Sequence, residues 1–168
     1  MTRLPALPVD SLNDHQRTLF ETLTSGKRSI GRSYDEFLDP DGAMRGPFNA
    51  MLHHPAAGQV VQRLGELLRF EGTLNDAQRE VAILTVGRYW RAQYEWWAHA
   101  RIAEGGGGAP DLIQAIYDQA RLPGDASDLI AIHTFVRELM ETQQVSDAAY
   151  AVAHAELGDE GIVELVIL

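Results

Sequence analysis

The 168-residue sequence predicts an all-α protein, a helical bundle in one domain spanning residues 1–168. Two observations carry this. Apolar residues recur at three- and four-residue spacing in nearly every patterned segment. Those segments are also punctuated by capping residues or proline at the front and glycine behind. In chain order, Ser11 to Thr24 places Leu12, Leu19, Phe20 and Leu23 near helical spacing, with Gly26 as a stop. Gly31 to Pro47, with three glycines and two prolines, reads as a long ordered loop. Ala56 to Phe70 follows Pro55 and sets Val60, Val61, Leu64, Leu67 and Leu68 on one face before Gly72. Asn75 or Asp76 caps the next helix, which carries Val81, Ala82, Leu84 and Val86 until Gly87 weakens it.

A further helix runs from about Arg91 to Glu104 and ends in the glycine run Gly105 to Gly108. Pro110 suits the first turn of Asp111 to Ala120. Asp125 caps Ala126 to Glu141, which aligns Leu129, Ile132, His133, Val136 and Met140. Ser146 caps a helix to Leu157, with Gly158 after it. Ile162 to Leu168 is apolar but for Glu164. Each large apolar side chain left in water there forgoes roughly 1.5–3 kcal/mol. That segment is therefore expected to be buried in the core or against a partner, or to be followed by more chain.

Charge and cysteine usage exclude whole classes of function. Fourteen Lys and Arg stand against 24 Asp and Glu, a formal charge of −10. Such a surface repels phosphate backbones and anionic lipid, so no nucleic-acid or membrane partner is expected. No apolar run approaches the roughly 20 residues that cross a bilayer. Met1 to Asp10 is not a secretory signal, so a cytoplasmic protein is expected. Cysteine is absent, which removes disulfides, thiolate metal sites, cysteine nucleophiles and thiol redox cycles together.

Chemistry concentrates in Arg88 to Arg101, RYWRAQYEWWAHAR. All three tryptophans, Trp90, Trp96 and Trp97, lie there with Tyr89 and Tyr94. Arg88, Arg91 and Arg101 against Glu95 make it locally positive, which suits either a small anionic ligand or a packed core with snorkelling arginines. Glu95 and His99 are four residues apart, so on one helix they touch as a proton donor–acceptor pair, or as an ordinary surface pair. Arg91 extends the same stripe. Glu80 opens an apolar helical stretch, either as a partner of the helix dipole or as an acid desolvated at a helix junction. Adjacent His53 and His54 point apart, and Glu95 with His99 offers only two ligands, so no metal is expected. The glycine run lacks the Lys-Ser/Thr of a phosphate loop. His133 and His154 read as structural histidines.

Three ordered blocks, GPFNAMLHHPAAG (Gly46 to Gly58), REVAIL (Arg79 to Leu84) and YEWWAHARIAEGG (Tyr94 to Gly106), resemble the carboxymuconolactone decarboxylase family over roughly Leu4 to Ala120. The resemblance implies an alkylhydroperoxidase-D-like helical fold whose subunits form homotrimers or homohexamers. In that family's peroxidase branch a glutamate, a Cys-x-x-Cys pair and a histidine act together. Here the glutamate position falls on Glu80 and the histidine on His99, while Ala92 and Glu95 occupy the cysteine positions. The decarboxylase-like branch has YEW-x-x-H, matched by Tyr94, Glu95, Trp96 and His99. It implies a cofactor-free lyase acting on γ-carboxymuconolactone or a related small lactone or carbonyl acid. Catalytic Glu80, Glu95 and His99 would supply acid–base and oxyanion help. Arg88, Arg91, Tyr94 and Trp96 would hold the anionic substrate. Two other readings are a non-catalytic ligand-binding or assembly subunit and, more remotely, thiol-independent peroxide reduction.

Overall fold

The computed structural model describes residues 3–30 and 34–168. Among them are eight α-helices: α1 (Asp14–Ser25), α2 (Pro47–Leu52), α3 (Pro55–Phe70), α4 (Asp76–Tyr89), α5 (Gln93–Gly105), α6 (Pro110–Tyr117), α7 (Ser127–Thr142) and α8 (Asp147–Ile167). No strand occurs among the described residues; extended backbone is limited to two isolated bridges, Pro8 with Ala43 and Leu38 with Met44. No helix among them is long and apolar enough to cross a membrane. The chain divides into two compact units, residues 1–71 and 72–168.

In the first unit, α1 packs on α2 and α3. Asn13 caps α1 through a reciprocal capping box with Gln16, and Gly26 closes it. The core holds Leu12, Leu19, Phe20 and Leu23 together with Phe37, Met44 and Leu52. The segment read as a loop thus inserts two core side chains, although Gly31, Arg32 and Ser33 lie outside the described residues. Gly58 on α3 permits close approach: a Cβ there would lie 2.6 Å from Leu19 Cδ2 and 2.8 Å from the Met51 carbonyl. The apolar residues of α3 do share a face, but only Leu68 is buried. Val60, Val61, Leu64 and Leu67 remain 40–70% exposed.

In the second unit α4 is the central helix, packed on α5, α6 and α7, with α8 against α7. Its buried residues include Arg79, Glu80, Val81, Ala82, Leu84, Thr85 and Gly87, so it is covered on nearly every side. Asn75 provides its capping box with Gln78. The helix continues through Gly87 to Tyr89, and α5 begins at Gln93 rather than Arg91. The reason is a Schellman turn. Arg91 adopts φ +53°, its N–H donates to the Arg88 carbonyl at 3.2 Å, and the Ala92 N–H donates to the Gly87 carbonyl at 2.8 Å. Arg91 therefore does not extend the Glu95–His99 stripe. Gly107 (φ +84°) with Gly108, and Gln119 (φ +55°) with Ala120, close α5 and α6 in the same way.

Two further boundaries differ from expectation. Asp125 does not cap α7, whose N-cap is Ala126 with no side-chain cap bond. Ser146 does cap α8, but Gly158 (φ +66°, ψ −177°) kinks that helix instead of ending it. Past the kink, Ile162 and Leu165 are buried while Val163, Val166 and Ile167 face outward. The apolar C-terminal stretch is thus half absorbed by its own unit.

Candidate active site

The entry to α4 is fixed by polar contacts that sequence reading missed. Glu164 on α8 is buried, and its carboxylate accepts hydrogen bonds from Thr73 N–H (2.5 Å), Thr73 hydroxyl (2.6 Å) and Leu74 N–H (3.4 Å). Arg79, also buried, donates to the Leu74 carbonyl at 3.1 Å and pairs with Asp76. The next residue, Glu80, points into the junction of α4 with α5. The Schellman turn at Arg91 then brings α5 back beside α4.

His99 meets two carboxylates at that junction. Its Nδ1 lies 2.7 Å from Glu80 Oε2, in a hydrogen bond whose proton either group can carry. Its Nε2 lies 3.5 Å from Glu95 Oε2, four residues back on the same helix. Exposure rises along this line: the side chains of Glu80, His99 and Glu95 are 6%, 18% and 39% exposed. An imidazole with one nitrogen toward an inner acid and the other toward an outer acid can pass a proton between them by taking one and releasing another.

Glu80 also lines a cavity of about 410 Å³, within the size range of small-molecule sites. Val81, Leu84, Ile102, Leu112 and Leu129 give it apolar walls, and the backbone of Gly106 to Gly108 closes one side. The glycine run is therefore more than a helix exit. Gly107 supplies the positive φ, and a Cβ at Gly108 would lie 2.7 Å from the Ala103 carbonyl. Asp76, Asp111 and Asp125 complete the acidic part of the lining. No family model and no curated protein matches the sequence.

The other sequence-predicted residues do not line this cavity. Arg88 donates from Nε to the Tyr117 carbonyl at 2.5 Å and lies over the Tyr117 ring at 4.9 Å. Arg91 is exposed at its turn. Trp96 packs against the core and against Tyr117, with ring centroids 5.2 Å apart. Tyr94 stacks at an angle on Trp97, 5.8 Å away, and Arg101 sits over the Trp97 ring. Trp90 is largely exposed beside Tyr89. The tryptophans are thus dispersed, Trp96 is not at the cavity where the resemblance would have it hold substrate, and aliphatic residues form the cavity walls.

The remaining histidines have structural contacts. His133 is buried, with Nδ1 3.0 Å from the Thr85 hydroxyl, which itself donates to the Val81 carbonyl at 2.6 Å. Burial pushes the His133 imidazole below its ordinary value and outweighs the pull of the Ala120 backbone. His154 Nε2 lies 2.7 Å from Asp159 across the Gly158 kink. His54 caps α3 by accepting the Ala57 N–H, while His53 Nε2 lies 2.9 Å from the Pro5 carbonyl, so the adjacent pair does diverge. Among the described residues no three His, Asp or Glu side chains are grouped as metal ligands.

Proposed function

We propose that the chain is a cofactor-free acid–base enzyme, a lyase or isomerase of small lactones or related carbonyl compounds. The observation that supports this is the line Glu80–His99–Glu95, which leads from a buried carboxyl group on a cavity wall to an exposed carboxylate. In a carbon-protonation step, electrons left on the substrate by loss of carbon dioxide, or by removal of a proton elsewhere, collect on the carbonyl oxygen as an enolate. Glu80 in its acid form gives its proton to carbon and becomes a carboxylate. His99 then returns a proton to Glu80, and Glu95 with solvent restores His99. Decarboxylation consumes one solvent proton per carbon dioxide released, whereas isomerisation is proton-neutral.

The resemblance noted above names γ-carboxymuconolactone as the first compound to try, followed by loss of its ultraviolet absorbance. A panel of small lactones and ketones in deuterated water, read by NMR for exchange at carbon, tests the chemistry without presuming the substrate. Turnover or exchange should fall by about 10²–10⁴-fold in Glu80→Gln. A panel with no exchange, or a Glu80→Gln variant as fast as the parent, overturns the reading. Binding without turnover is the second reading, favoured by the absence of His99 and Glu95 from the cavity lining. It predicts that Glu80→Gln changes affinity with no rate to lose.

We propose further that copies of the chain associate, as a trimer or hexamer, through exposed apolar helix surface. The outward face of α3 and the outward residues of α8 support this, because contiguous exposed apolar surface commonly marks interfaces.

A further inference from the structure

We infer that the outer face of α5, with the turn that joins it to α4, receives helix α8 of a second copy of the chain. This rests on the association reading above and goes on to name the two surfaces that meet and the part of the site they cover. None of the 13 residues of α5 is buried, although α4, α7 and α8 each bury five or more. At helical spacing, Tyr94, Trp97, Ala98 and Arg101 share the face opposite Trp96, Ala100 and Ala103, which pack on the core.

That outer face has the composition of an interface centre. Trp97 is exposed with Arg101 over its ring and Tyr94 beside it, and Trp90 and Arg91 stand exposed at the adjoining turn. Tryptophan, tyrosine and arginine are the residues that dominate binding hot spots. The two arginines also lack a counter-charge. Arg63, Arg79 and Arg137 each have a carboxylate partner, whereas Arg91 and Arg101 have none among the described residues. A cationic, aromatic patch on a chain of charge −10 is complementary to the rest of that chain's surface.

Helix α8 supplies the matching surface. Residues 138–168 hold seven acids and no lysine or arginine. Glu156 and Glu160 stand exposed on either side of the Gly158 kink, and neither side chain has an ion pair among the described residues. Exposed apolar residues flank them, Val152 before the kink and Val163, Val166 and Ile167 beyond it. In one copy α5 packs on α4 and α6 while α8 packs on α7, so the two outward faces meet only between copies. A contact between unlike faces passes from copy to copy and closes as a ring when its rotation allows, the form a trimer takes. Glu95 stands at the edge of the α5 face, with its side chain 39% exposed. The neighbour's α8 therefore roofs the outer end of the Glu80–His99–Glu95 line.

The test uses the full chain and two readouts. Light scattering coupled to size exclusion gives the mass. Acrylamide quenching of tryptophan fluorescence reports on α5 and its turn alone, because all three tryptophans lie within residues 90–97. The associated parent should be less quenched than the same chain diluted to monomer, and added salt should weaken its association. Arg91→Glu with Arg101→Glu should weaken association at least about tenfold and raise quenching, and so should Glu156→Lys with Glu160→Lys. All four changes together should restore both mass and protection, which also shows that neither pair acts by unfolding the chain. Full mass in both reversed pairs, quenching unchanged by dilution, or no recovery in the fourfold variant overturns the inference, while the association reading stands on the parent's mass. A parent that is monomeric throughout defeats that reading and the inference with it.

Discussion

Glu71 sits between two cations, with its carboxylate 3.1 Å from the Arg63 guanidinium and 2.8 Å from Lys27 Nζ. Hydrogen bonds from Arg63, then from Lys27, hold its carboxyl at about 2, against an ordinary 4.5. The folded value is depressed, so the contribution is present above about 4.5 and is lost as pH falls through about 2. A side-chain carboxyl NMR titration should show that low midpoint, and Arg63→Ala should return it toward the ordinary range. The buried imidazole of His133 has the same sign for a different reason. Its folded value is lowered by burial, so the unfolded chain takes up the proton first. The second unit should lose stability as pH falls below about 6.5, and a series of thermal melts that stays flat from neutrality to mild acid would refute this. The contact between Glu95 and His99 is legible in the sequence because a spacing of four on a helix has one geometry. That between Glu80 and His99 is not, since it depends on how α4 turns into α5. Only the family resemblance singled out those two together.

That turn illustrates what is hidden at the level of helices. Asn75, Ser146, Pro110 and Gly26 signal their helix ends because each supplies a specific bond or backbone angle. The ends of α4 and α6 carry arginine and glutamine at positive φ, where no residue type announces the break. Arg91→Gly should relieve the left-handed backbone and stabilise the second unit by up to about 1 kcal/mol. A lowered melting temperature would refute that account. Turnover should survive this change, because the side chain lies outside the cavity. Gly158→Ala tests the opposite case. At φ +66° and ψ −177° the backbone occupies a region essentially reserved for glycine, and the substitution should cost about 1–3 kcal/mol, visible as an earlier denaturant midpoint.

Across the whole molecule, the all-helical class was readable from periodicity, but the burial of each apolar face was not. Val60, Val61, Leu64 and Leu67 repeat like a core stripe and yet stay exposed, while the supposed loop contributes Phe37 and Met44 to a core. Periodicity identifies a face; only packing decides what covers it. If copies of the chain cover it, Leu64→Lys should lower the mass measured by light scattering coupled to size exclusion. A parent mass already near 18.6 kDa at micromolar concentration would refute association.

The bond between Glu164 and Thr73 spans 91 positions of sequence. Every helix from α4 to α7 lies inside the loop it closes. On a ribosome, which delivers the chain from its amino end, α4 emerges long before the carboxylate that fixes its first turn. Until then Thr73 and Leu74 have only water for those N–H groups, and closing so long a loop carries an entropy cost that no local contact offsets. Synthesis of the second unit therefore passes through a period in which the helix bearing Glu80 exists without its tether. The wall that carries Glu80 is thus tethered only after α8 has been made, so on the proposed reading the order of manufacture completes the acid's support last.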